Sequence, residues 1–208
     1  TGIASWQLGN IFLMRHKFDQ AQQVAEEGFQ LFKRLNDANC MVLSRNLLGS
    51  IALFQHDFKG AEAHYRFSVQ LCEEVHNLEG AAWSQLCLGQ ALLGQGAFAQ
   101  AVTHFAAALR FRLGVDDHET AREALQGLAM VAANADQARL AAYLGGAACG
   151  PRGDVFLLLP PLEPLYQQSR DQAQAQLAEQ VWAQEWAAGQ AATPKMLLGQ
   201  VARLCLSE

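Results

Sequence analysis

The sequence predicts an all-α fold: about four helix pairs stacked in series, with extra carboxy-terminal helices. Three observations predict it. The dipeptide Leu8-Gly9 recurs as Leu48-Gly49 and Leu88-Gly89, in steps of 40 residues. The residues behind it recur in the same steps: Phe18, Phe58 and Phe98, then Ala21, Ala61 and Ala101. Between these markers the apolar residues fall at helical spacing, broken by short polar clusters. A fixed period of this size is the signature of a repeat architecture, in which each unit buries its apolar face against the next.

The first unit is read as 1–38. Ile3, Trp6, Leu8, Ile11, Phe12 and Met14 carry a helix over 2–15, His16-Lys17 break it, and a longer helix runs from Phe18 to Leu35. Asn36-Asp37-Ala38-Asn39 then reads as a turn. The second unit, 39–78, places Leu43, Leu47, Leu48, Ile51 and Phe54 on its first helix, turns at His56-Asp57, and continues from Phe58 to Val75. The third, 79–116, runs from Ala81 to Leu93, turns at Gly94-Gln95-Gly96, and resumes from Phe98 to Leu113. Gly114 is expected to cap that helix, and Asp116 and Asp117 to cap the next. A fourth, weaker unit, 117–149, starts its copy of the marker at Leu128-Ala129. Residues 150–160 read as a linker and 161–208 as capping helices, the last opened by Thr193-Pro194.

Bulk properties narrow the function. The chain has 208 residues, 51% of them hydrophobic, and a net charge of -5. An acidic balance argues against direct grip on a nucleic acid backbone, which needs a concentrated basic face. No apolar run is long enough to span a membrane, and no signal peptide is visible. The five cysteines (Cys40, Cys72, Cys87, Cys149 and Cys205) form no CxxC pair, so they read as reduced residues of a cytoplasmic protein. The chain lacks an initiator Met and starts inside a helical pattern, which reads as a piece of a longer protein.

The three clear units resemble tetratricopeptide repeats. Beyond the Leu-Gly pair and the following Ala, the family's aromatic slot holds Ala25, Tyr65 and Phe105, and its last small slot holds Gly28, Ser68 and Ala108. The Trp slot departs, holding Ser5, Arg45 and Gln85, and the terminal Pro slot holds Lys33, Glu73 and Leu113. Without that proline the second helix runs on, which lengthens the usual period of about 34 residues. The resemblance implies a right-handed superhelix whose first helices line a concave groove. Long units of this kind resemble those of bacterial signal-transduction ATPases and large LuxR-type transcriptional regulators, the maltose-regulator group among them. Two tail segments are similar to that group's: Ala138-Arg139-Leu140-Ala141-Ala142-Tyr143-Leu144-Gly145-Gly146-Ala147, and Trp182-Ala183-Gln184-Glu185-Trp186-Ala187-Ala188-Gly189-Gln190-Ala191. The resemblance implies the carboxy-terminal regulatory part of such a regulator.

No catalytic constellation, cofactor site or metal site is expected. No phosphate-binding glycine loop, Gly-x-Ser-x-Gly elbow or zinc-protease helix occurs. Gly145-Gly146, Gly150 and Gly153 lack the strand before and helix after of a nucleotide loop and read as a helix end and linker. The turn pair His16 and His56, and His64 and His104, lie at repeat-related positions, too far apart to converge on a metal. The informative surface is the groove face of the first helices: Trp6, Asn10 and Met14, then Leu43, Asn46, Ser50 and Phe54, then Trp83, Leu86 and Gln90, with Ile3 beside them. Asn10, Ser50 and Gln90 share one slot. A polar row flanked by aromatics suits a protein or peptide partner, such as an amphipathic helix. That partner is expected to be another protein or another domain of the parent chain, with homo-oligomerisation as an option. The alternatives are a free-standing scaffold and a small-molecule sensor.

Overall fold

Seventeen residues of helix and three of turn make a half-period of 20, and two half-periods make the 40-residue unit. In the computed structural model this holds for α3 (Ala38–Phe54), α4 (Phe58–Glu74), α5 (Leu78–Gly94) and α6 (Phe98–Gly114), each 17 residues long. They follow α1 (Gly2–Met14) and α2 (Phe18–Leu35) and precede α7 (His118–Asn134) and α8 (Ala138–Cys149). A 3₁₀ turn at Pro160–Leu162 leads into α9 (Glu163–Ala175), α10 (Glu179–Gln190) and α11 (Pro194–Leu206). The structure describes residues 2–115, 118–150 and 158–206, without the side chains of 118, 119, 205 and 206. The fold is all-α, with helices packed in consecutive pairs, and no strand occurs among the described residues.

The turns explain the period. His16, Asn36, His56, His76, Gly96 and Asp136 all have positive φ, between 53° and 72°. They stand 20 residues apart, except where 116 lies outside the described residues. Each closes its helix with the paired backbone bonds of a Schellman motif. At the second hairpin, the His56 N–H donates to the Leu53 carbonyl at 3.0 Å and the Asp57 N–H to that of Ala52 at 2.8 Å. The next residue caps the following helix at once: Asp37, Asp57 and Asn77 accept from the N–H of Cys40, Gly60 and Gly80. His and Asn tolerate the left-handed region better than most residues. The repeat-related histidines His16 and His56 are therefore turn residues. Gly114 is the last residue of α6 and Val115 caps it, one residue beyond the expected cap. Asp116 and Asp117 lie outside the described residues.

The chain divides into two compact units, Thr1–Ala91 and Leu92–Glu208. In the first, α3 packs on α1, α2 and α4. Leu13, Ala21, Ala25, Leu47, Leu48 and Ile51 form one core cluster, each no more than 9% exposed. Asn46 of α3 and Ser84 of α5 exchange hydrogen bonds of 3.2 and 3.3 Å inside it, so neither polar group is left dry and unpaired.

In the second unit the two tail segments singled out in the sequence meet each other: α8 packs along α10. Gly145 and Gly146 lie within α8, not at its end, and they are packing residues rather than linker. A Cβ on Gly146 would collide with the Trp186 carbonyl, one on Gly189 with that of Tyr143, and one on Gly145 would lie 2.8 Å from the Trp186 ring. The missing side chains let the backbones touch. Gly150 has φ of 53° just past α8, and Gly153 lies outside the described residues. Arg122, buried on α7, donates to the carbonyls of Ala148 and Cys149 and so satisfies the carboxy-terminal end of α8. Leu197, Val201 and Leu204 bury the apolar side of α11, which packs on α6.

Candidate functional site

The first helices of the first unit expose an apolar row. Ile3, Leu43 and Trp83 occupy the same slot on α1, α3 and α5. Ile3 is 60% exposed, Trp83 36%, and Leu43 is half-buried. One turn-set further along the same face, Met14 is exposed and Phe54 half-buried. Phe54 and Trp6 also pack against the core cluster, and the His16 ring meets Phe54 edge-on at 6.2 Å.

The other residues expected on this face turn inward. Asn46, Leu86 and Gln90 are 4%, 1% and 2% exposed, so they line no groove. Asn46 is bound to Ser84, as above. Ser50 is half-buried, with its hydroxyl 3.0 Å from the buried Tyr65 hydroxyl. Asn10 donates to the Trp6 carbonyl of its own helix at 2.9 Å. Asn10 and Ser50 of the expected polar row thus bond to the protein itself, and Gln90 is buried. For Ser50 the physical reason is rotation: its slot lies on the side of α3 that faces Tyr65 of α4.

A second feature of this unit was not singled out in the sequence. Between α2 and α4, with α3 as its floor, runs an open groove of about 910 Å³. Arg45 lies at its base. Its guanidinium sits 4.2 Å from the centroid of the Phe29 ring and 4.7 Å from that of Phe67, and those rings meet edge-on. Arg45 holds the slot that carries Trp in the family pattern, and its flat guanidinium stacks where an indole would. Its Nη1 donates to Nδ1 of His64 at 3.1 Å. A guanidinium can only donate, so Nδ1 accepts and His64 is neutral with its proton on Nε2. Burial, then the charge of Arg45, holds the His64 pKa below its ordinary 6.5. The available sequence signal was the departure at Arg45, unreadable without knowing that Phe29 and Phe67 flank it.

Burial pushes the thiols of Cys40 and Cys72 up to about 11, away from the thiolate a nucleophile needs. Among the described residues no group of three or more His, Cys, Asp and Glu is placed to hold a metal. No helix among them is long and apolar enough to cross a membrane.

Paired helices in series define a helical-repeat protein. The family model of the tetratricopeptide repeat matches residues 39–113, from α3 to α6. No curated protein matches the chain.

Proposed function

We propose that the chain is a non-catalytic protein-interaction module that receives an amphipathic helix or peptide on the Ile3–Leu43–Trp83 row. One observation carries this reading. These three residues are apolar, stand one period apart, and reach solvent, whereas the packed slots of α3 and α5 are buried. An exposed aromatic among aliphatic neighbours is a common anchor of binding energy. Tetratricopeptide repeats typically bind proteins or peptides, which agrees with it. The finer reading is that the module is the cytoplasmic, carboxy-terminal regulatory part of a larger transcriptional regulator or signalling ATPase. The similarity of the α8 and α10 segments to that group's tail supports it.

The test is a selection of helical peptides on the purified chain, followed by titration of Trp83→Ala and Leu43→Asp. Both are expected to weaken a selected peptide at least about tenfold, as loss of an interface anchor does, while leaving the melting temperature unchanged. A Trp83→Ala protein that loses its fold instead makes Trp83 a core residue and ends the proposal.

A further inference from the structure

Helix α1 has no charged residue from Gly2 to Met14. A helix with this little polarity is normally well covered, yet part of α1 is bare. Comparison along the period shows which part. Positions 4, 7, 8 and 11 form one stripe, separate from the Ile3 row. In α3 the same stripe is Ser44, Leu47, Leu48 and Ile51, at 6%, 2%, 9% and 3% exposure. In α5 it is Ser84, Cys87, Leu88 and Ala91, none above 3%. In α1, Leu8 is 43% and Ile11 50% exposed, and Ala4 and Gln7 are exposed too.

What covers the stripe in α3 is the hairpin before it. Gly28 of α2 approaches Ser44 so closely that a Cβ there would stand 3.2 Å from its hydroxyl. Leu48 and Ile51 share the core cluster with Ala21 and Ala25 of α2. We propose that the Ala4–Leu8–Ile11 stripe of α1 seats one more helix of the α2 type. It lies antiparallel to α1 with small residues on its contact face and is supplied by the same polypeptide ahead of Gly2. Continuity of the α2–α3 interface argues for it. The second helices α2 and α4 reach the next helix through Schellman turns of two and three residues, so a helix in the same chain arrives already placed. A second copy of the chain does not serve. The small-residue stripes it would have to offer (Ala21, Ala25 and Gly28 on α2; Ala61 and Ser68 on α4; Ala101 and Ala108 on α6) are already buried.

The test keeps the whole chain and adds a helix to it. A copy of residues 18–40 placed directly ahead of Thr1 preserves the register, because Thr1 and Met41 are one period apart. A second form carries the residues the natural gene encodes immediately upstream. In either form the amides of α1 are expected to exchange at least ~10-fold more slowly than in the 208-residue chain, as burial of a frayed terminal helix requires. Leu8→Asp should abolish that protection in the extended chain while leaving the melting temperature of the 208-residue chain unchanged. Unchanged exchange of α1 in both extended forms overturns the proposal. So does protection of α1 in the 208-residue chain that rises with protein concentration, because a second copy is then the occupant.

Discussion

Across the second-helix and next first-helix pairs the structure exchanges size, and that exchange can be tested by transplanting it. The residue in the aromatic slot and the one 22 positions later face each other: Ala25 with Leu47, Tyr65 with Cys87, Phe105 with Gly127. Where one is large the other is small. Phe105 is fully buried, and a Cβ on Gly127 would lie within 2.7 Å of three of its ring carbons. Phe105→Ala alone empties the slot and should cost about 4 kcal/mol. Gly127→Leu alone drives a side chain into a ring that cannot move, costing about 2 kcal/mol from overpacking even after leucine's better helix propensity. The double variant installs the Ala/Leu pairing already used at 25 and 47. Additivity puts it near 6 kcal/mol, enough to unfold many domains. Compensation of about 3 kcal/mol, typical of residues in contact, leaves it near 3. Urea unfolding followed by circular dichroism at 222 nm measures all three. A double variant that costs the sum of the singles within about 0.5 kcal/mol refutes the exchange.

Three other outcomes follow from the same packing. His64 is neutral in the fold and its pKa is held below 6.5, so the unfolded chain binds more protons in the window just under that value. Stability should be full above pH 6.5 and fall as the pH drops toward the folded-state value, against the partial support of Glu26 and Asp57; denaturant midpoints of His64→Gln across pH 5–7 should lack that slope. Gly189→Ala sets a methyl group against the Tyr143 carbonyl and should cost about 3 kcal/mol or more. The check is thermal melting, together with loss of the near-ultraviolet signal of the stacked Trp182 and Trp186. His76→Gly relieves a side chain held at φ of 56° and should raise stability by roughly 1 kcal/mol, measured by the shift in urea midpoint.

How much was legible depended on whether a feature repeats. The Leu-Gly pair and its 40-residue step predicted the helix pairs because its glycine, at 9, 49 and 89, is buried in every one of these units. Outside the repeat, local capping chemistry at Thr193-Pro194 located the start of α11. The repeat failed on facing. Asn10, Ser50 and Gln90 share a slot, but periodicity reports only that they are equivalent, not which way they turn. Ala25 holds the aromatic slot without an aromatic ring, and the large residue that shares its cluster, Leu47, lies in the next unit, across the repeat boundary. Gly145, Gly146 and Gly189 were visible as tail motifs. That they permit one backbone to touch another depends on α8 meeting α10, which no local pattern encodes.

The two kinds of slot also separate what the fold needs from what it leaves open. Local turns set the half-period, so helix placement does not depend on any groove residue. Volume is balanced within pairs such as Phe105 and Gly127, so the packed slots are not free to vary singly. The row at 3, 43 and 83 has neither constraint: it sits outside the core cluster and takes part in no size exchange. Stability therefore places a weaker demand on Ile3, Leu43 and Trp83 to be apolar than on the fully buried slots. Apolar side chains that reach solvent at the same slot of three successive units are the observation on which the binding proposal rests, rather than the aromatic residues that pack against the core.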